Sequence, residues 1–201
     1  MNYIDKINIK SKIENKEKII LELGAGQMKK EDRINIDILD LPETDIVTDL
    51  ENGLSFLPNN SVDEIHTVSF LEHISNLSFL MEEIFRVLKP NGILYVFVPH
   101  FSNPYFYSDP THKRFFGLYT FSYFSKSHYP YRRKVPKFYY SCNFRIESQE
   151  LIFNFPFPFK ILGLLFNKLF NSRYRLQEIF EFYFSPFLPC YGMNVKLKAS
   201  K

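Results

Sequence analysis

The chain has 201 residues, a mass of 24.0 kDa, 45% hydrophobic and 23% charged residues, and a net charge of +3. That size supports one packed domain and excludes both a disulfide-stapled miniprotein and a large multidomain enzyme. Two cysteines, Cys142 and Cys190, make no disulfide framework, residues 1–18 lack a signal-peptide stretch, and no uncharged apolar run reaches the roughly 20 residues of a membrane span, which together predict a cytoplasmic protein.

Lys18–Leu23 (KIILEL) reads as a short apolar strand, followed at once by Gly24-Ala25-Gly26. Arg33–Ile38, Asp45–Thr48, Ser61–Val68 and Ile93–Val98 read as four further strands, short and mostly β-branched, as in a covered parallel sheet. Only about eight residues separate the glycine turn from the second strand, too few for a full crossover helix. Ser75–Leu88 places Leu77, Leu80, Met81, Ile84, Phe85 and Leu88 on one helical face, and Lys89, Pro90 and Gly92 stop it in a turn. Strand, helix, strand in this order predicts a doubly wound α/β domain. Beyond it, Phe101–Phe116 reads as a loop, Tyr119–Ser127 as a short helix and Phe144–Phe153 as a strand. Residues 160–170 form a strongly amphipathic helix, Arg173–Phe184 a second helix, and Asn194–Leu197 the closing strand.

Two glycines directly behind a strand allow a tight turn and close approach of a ligand across the carboxyl edge of the sheet. The third glycine of a dinucleotide fingerprint is missing, which disfavours NAD and FAD. With Glu22–Gly26 (ELGAG), Asp37 after the second strand, Asp49 after the third, and residues 61–74 (SVDEIHTVSFLEHI) and 83–99 (EIFRVLKPNGILYVFVP) in this order, the chain resembles the class I, seven-stranded S-adenosylmethionine-dependent methyltransferases. It looks most like the small type-11 subgroup associated with glycan and surface-polysaccharide synthesis.

The resemblance implies a Rossmann-like, mostly parallel sheet with an antiparallel last strand and helices on both faces. Residues 18–99 would be the cofactor core, 100–137 a substrate loop or lid, and 155–190 an aromatic-rich helical insertion before the closing strand. It implies S-adenosylmethionine as cofactor. Glu22, Leu23, Gly24, Ala25 and Gly26 would wrap its methionine portion and ribose. Asp37, with Ile38 beside it, would accept from the ribose hydroxyls, and Asp49 with Leu50 would meet the adenine. Ser69, Phe70 and His73 would lie beside the methionine end, with Glu72 and His73 as positioning residues.

Methyl transfer to a hydroxyl benefits from a general base. His112, in Asp109-Pro110-Thr111-His112, is the first choice for it, with Asp109 to orient it and His100, just after the fifth strand, as the competing base. Tyr107, Lys113, Arg114 and Tyr119 are candidates to hold the acceptor, the two cations through a phosphate or carboxylate. Asp109, His112, His100 and Glu72 could ligate Mg²⁺, but they form no dense ligand motif and no metal is expected. Tyr105, Phe106, Tyr107, Phe115, Phe116, Tyr119, Phe121, Tyr123, Phe124 and Tyr129 cluster, and some should wall the transfer site.

Ten Lys/Arg face 17 Asp/Glu in residues 1–100, whereas 15 face five in residues 101–201. The basic second half suits a phosphorylated or acidic small acceptor, or an anionic surface. Its cations are interspersed, and no nucleic-acid partner is expected. The apolar segment Phe155–Phe170, with Lys160 and Lys168, reads as a lid, a homodimer face or a helix lying on an anionic membrane. The function these readings support is O-methylation of a sugar or sugar nucleotide in capsule or lipopolysaccharide synthesis. The alternatives are N-methylation of a small amine or amino sugar, and a noncatalytic partner protein that keeps the fold.

Overall fold

A computed structural model describes residues 3–27, 30–126 and 130–201. Its strands are β1 (Ile4–Asp5), β2 (Ile20–Leu23), β3 (Ile34–Asp37), β4 (Ile46–Val47), β5 (Val62–Val68), β6 (Leu88–Pro99), β7 (Phe144–Ile152) and β8 (Gly192–Ala199). They form one sheet in the order β1-β4-β3-β2-β5-β6-β8-β7. From β4 to β6 neighbouring strands run parallel, and β8 lies antiparallel between β6 and β7. The chain runs outward from β2 through β3 to β4, then returns to place β5 on the other side of β2. That reversal opens a crevice beyond the carboxyl ends of β2 and β5.

Alternation within the strands sorts the two faces. Leu21, Ile65, Leu94, Leu197 and Ile146 stand in register across five strands, and all are buried. The intervening row, Glu22, His66, Tyr95 and Lys196, is polar or amphipathic; His66 stacks on Tyr95 at 4.5 Å and the Lys196 ammonium lies 5.5 Å from the same ring.

The polar leader forms β1 and a short helix, α1 (Ile9–Glu14), neither of which has a pattern in the sequence. Helix α2 (Leu77–Val87) starts where the Asn76 side chain accepts from the Phe79 amide, and it buries Leu80, Met81, Ile84 and Val87 at helical spacing. Glu83 accepts from the Leu54 amide while Arg86 donates to the Leu54 and Leu57 carbonyls, which ties the helix to the preceding loop. Lys89–Gly92 is not a separate turn. β6 begins at Leu88, and these residues bulge out of its ladder, with Asn91 at φ 66°. Among the described residues the β2–β3 and β3–β4 connections contain no helix.

The expected helix at Tyr119–Ser127 is a 3₁₀ turn over Thr120–Phe124, and Ser127 lies outside the described residues, as does Tyr129 of the aromatic cluster. Helix α3 (Lys160–Phe170) forms as expected. The second C-terminal helix divides into α4 (Tyr174–Ile179) and a π-helical turn at Phe180–Phe184.

Candidate active site

The glycine turn leaves β2 toward the crevice. The amides of Gly24 and Ala25 both donate to the Ile36 carbonyl, at 2.9 and 3.2 Å, and the Gly26 amide donates to Asp37 Oδ2 at 2.8 Å. Gly24 and Gly26 have φ of 70° and 57°, the left-handed region that favours glycine. The Phe70 ring fills the space where a Gly24 β-carbon would stand, whereas no described residue lies within 4 Å of that position at Gly26. A ligand can therefore approach the backbone at Gly26. Asp37 also accepts from the Leu39 amide at 3.0 Å, yet each carboxylate oxygen has a second lone pair for a ribose hydroxyl. These features fit the nucleoside end of S-adenosylmethionine.

The other residues expected at the cofactor also have partners within the fold. The Glu22 carboxylate is buried and held by the Arg33 guanidinium at 2.5 Å. Asp49 caps the 3₁₀ turn Leu50–Asn52, accepting from the Glu51 amide at 3.0 Å and the Asn52 side chain at 3.3 Å, and Leu50 lies in the core. Ile38 is exposed at the end of β3. Ser69, at φ 49°, turns the chain after β5 and donates its amide to the Phe97 carbonyl.

Phe70 leads into a 3₁₀ turn, Leu71–His73, on which the loop after β6 is docked. The amides of Lys113 and Arg114 both donate to the Glu72 carbonyl, at 2.7 and 3.1 Å. This brings together Glu72, His73, Asp109, Thr111 and His112. His112 Nδ1 lies 2.9 Å from the Phe106 carbonyl. A carbonyl only accepts, so Nδ1 carries the proton and, in the neutral ring, Nε2 carries the lone pair. Asp109 Oδ2 is 3.7 Å from that Nε2. Thr111 donates its hydroxyl to Asp109 Oδ1 at 2.6 Å, so its oxygen accepts from His73 Nδ1 at 2.9 Å. The two bonds from Thr111, hydroxyl and amide, hold the Asp109 carboxyl below its ordinary range.

Glu72 is 1% exposed, and among the described residues its Oε2 has no hydrogen-bond partner. Burial pushes its carboxyl up to about 7, with the Asp109 charge adding to the shift. One ligand atom from each of Glu72, His73 and His112 lies within 4.8 Å of the other two, so these three residues could hold a metal ion. The sequence offers Asp109 and His100 beside Glu72 and His112. The structure leaves both His100 and Asp109 out of that group and adds His73.

His100 lies apart from this cluster. It is fully buried, accepts at Nδ1 from the Ser102 amide at 3.1 Å, and turns Nε2 to Glu181 at 3.2 Å. Both ring nitrogens are engaged, so it is not poised as a base. The partner that decides this, Glu181, is 81 residues away in the chain and carries no signal in the sequence. Lys113 reaches Glu51 at 3.2 Å and Ser75 at 2.8 Å, and Arg114 Nε donates to the Ile74 carbonyl, so both cations fasten the loop. Tyr119 donates its hydroxyl to Glu178, and burial and that carboxylate push its phenol far up. Tyr107, mostly exposed, donates to the Phe101 carbonyl at 2.8 Å. Two cavities, of 440 and 300 Å³, lie along α2 and on the polar row of the sheet, and neither is lined by the glycine turn.

Residues 24–96 match the family described as a methyltransferase domain, Methyltransf_11. Those residues form a methyltransferase domain. The protein is an enzyme with a Rossmann-like fold, and its cofactor is S-adenosylmethionine. The methyltransferase shares its fold with an S-adenosylmethionine-dependent methyltransferase from Archaeoglobus fulgidus, at 16% identity and a TM-score of 0.55 over 90% of this chain and 86% of that one. The YcgJ protein from Bacillus subtilis gives a TM-score of 0.52 at 14% identity, over 96% of this chain and 97% of that one. A methyltransferase from Mesorhizobium loti gives 0.50 at 14% identity, over 90% of each chain. No curated protein matches the methyltransferase in sequence.

Proposed function

We propose that the methyltransferase O-methylates a sugar or sugar nucleotide of a surface-glycan pathway, with His112 as the general base. The observation that carries the reading is the His112 tautomer: Nδ1 is committed to the Phe106 carbonyl, which leaves the Nε2 lone pair for a proton. The bound cofactor supplies an electrophilic methyl on a sulfonium. His112 Nε2 would take the acceptor's hydroxyl proton, which frees the oxygen to accept that methyl. Asp109 faces the imidazolium so formed, and the Phe106 carbonyl fixes the ring. Tyr105, Tyr107 and Phe115 are exposed beside this loop, and sugar rings stack on such aromatic faces. The basic second half of the chain favours an acceptor that carries phosphate.

The test is transfer to a nucleotide-sugar library from labelled cofactor, read by mass spectrometry. H112A should lose roughly 10²-fold or more in rate, the worth of a positioned base, while binding S-adenosylhomocysteine as tightly as the native protein. D37A should lose that binding. Activity that chelation abolishes and a divalent cation restores would make Glu72, His73 and His112 metal ligands and remove His112 from the base role.

A second reading is N-methylation of a small amine or amino sugar. The unpartnered Glu72 Oε2 and the nearby Asp109 favour it, since two carboxylates can hold an ammonium. H112A that keeps its rate, with E72Q that loses it, selects this reading.

A further inference from the structure

The insertion between β7 and β8 presents its apolar side outward. Helix α3 has the sequence KILGLLFNKLF, and its polar side chain Asn167 faces the protein. Asn167 accepts from the Phe153 amide at 2.8 Å and donates to the Phe153 carbonyl at 3.1 Å. Just past the helix, Asn171 makes the same pair of bonds to Leu151, at 2.8 and 2.7 Å. Gly163 lets the helix approach closely, since a β-carbon there would stand 2.8 Å from the Phe153 carbonyl oxygen. The orientation is thus fixed by two amide clamps and a close backbone contact. What it leaves outside is Ile161, Leu164, Leu165 and Leu169, one helical stripe, with Ile161 73% and Leu164 68% exposed. Phe157, Phe159, Phe182 and Phe187 are exposed on the flanking segments, and Phe187 is 88% exposed. Phe184 packs on Phe170 at 6.0 Å, which joins the π-helical turn to the inner side of α3.

The exposed charges nearest this apolar stripe are cations, because Glu178 and Glu181 on the following segment are tied to Tyr119 and to His100 and the Leu118 amide. Residues 151–177 contain Lys160, Lys168, Arg173 and Arg175 and no Asp or Glu. All four cations are exposed. Two copies meeting through this face would bring cations against cations, whereas an anionic lipid surface satisfies both the apolar stripe and its charges. At eleven residues the helix is about 16 Å long, too short to cross a hydrocarbon layer of about 30 Å but suited to lying in its interface. We infer that the α3 face docks the enzyme on an anionic membrane surface, with α3 in the plane of the interface and the phenylalanines of the flanking segments inserted.

The chain has no tryptophan, so Phe187→Trp gives a single reporter at the most exposed aromatic. Its emission should shift to the blue with vesicles of phosphatidylglycerol and phosphatidylcholine, and much less with phosphatidylcholine alone. The native protein should sediment with the anionic vesicles and be released by salt. Leu164→Ser combined with Leu165→Ser, and separately Lys160→Glu with Lys168→Glu, should weaken sedimentation at least about tenfold. Unchanged binding of S-adenosylhomocysteine would certify that each variant is folded. An unshifted emission from the Phe187→Trp variant, or vesicle binding equal in the native and serine-substituted proteins, would overturn the inference. So would a dimer in vesicle-free gel filtration that the serine substitutions dissolve, since it would assign the face to a second copy of the chain.

Discussion

Phe70 Cδ2 lies 2.3 Å from where a β-carbon at Gly24 would stand, and the backbone there is left-handed; Gly26 shares the conformation but has no described residue within 4 Å of its β-carbon position. The two glycines therefore answer to different constraints. G24A should displace the Phe70 ring and cost about 2–3 kcal/mol in denaturant unfolding, through strain and a clash together. G26A should cost about 1 kcal/mol through strain alone, yet weaken S-adenosylhomocysteine binding more, because its methyl points into the cofactor crevice. Glu72 gives a second test. Its folded carboxyl holds a proton up to about 7, above its ordinary value, so the native state binds more protons than the unfolded one between those limits. Stability then falls as pH rises through that window. E72Q should remove the decline and leave the variant more stable than the native protein at pH 8, by on the order of 2 kcal/mol in urea titration. The glycine turn and Asp37 are legible in the sequence because turn and acidic partner are local and in register. The cap that Asp49 makes on the Glu51 amide is not legible, since the same carboxylate in the sequence reads equally as a ligand acceptor.

At the scale of elements, periodicity identifies α2 and α3 equally well, but it does not say which side of α3 faces the protein. An apolar stripe ordinarily marks the inner face. Here Asn167 and Asn171 bind the open backbone groups of Phe153 and Leu151, and that polar attachment turns the leucines outward. Asn167→Leu should strip both partners from Phe153 and destabilise the insertion by about 1–3 kcal/mol, visible as faster amide exchange across residues 151–170 while β2 to β6 stay protected. The N-terminal elements are illegible for the opposite reason. β1 has two residues, and α1 buries one side chain, Ile9, so neither contributes a pattern long enough to stand out from a polar leader. Asp5 secures them locally by accepting from the Ile7 and Ile9 amides.

For the molecule as a whole, the antiparallel β8 is the piece that makes one sheet of two parts. On one side it pairs with β6 from Ile93 to Pro99, and on the other with β7 from Phe144 to Ile152. Val195 sits at the centre of both ladders, so Val195→Pro should abolish soluble expression rather than trim stability. The order of synthesis makes this placement consequential. Until Gly192–Ala199 is made and free to fold, β6 and β7 each have an edge whose partner does not yet exist. The β6 edge is rich in Val, Phe and Tyr, a composition prone to pairing with the wrong chain. The nascent enzyme thus passes through an interval in which its sheet has an open slot, closed only when Gly192–Ala199 inserts.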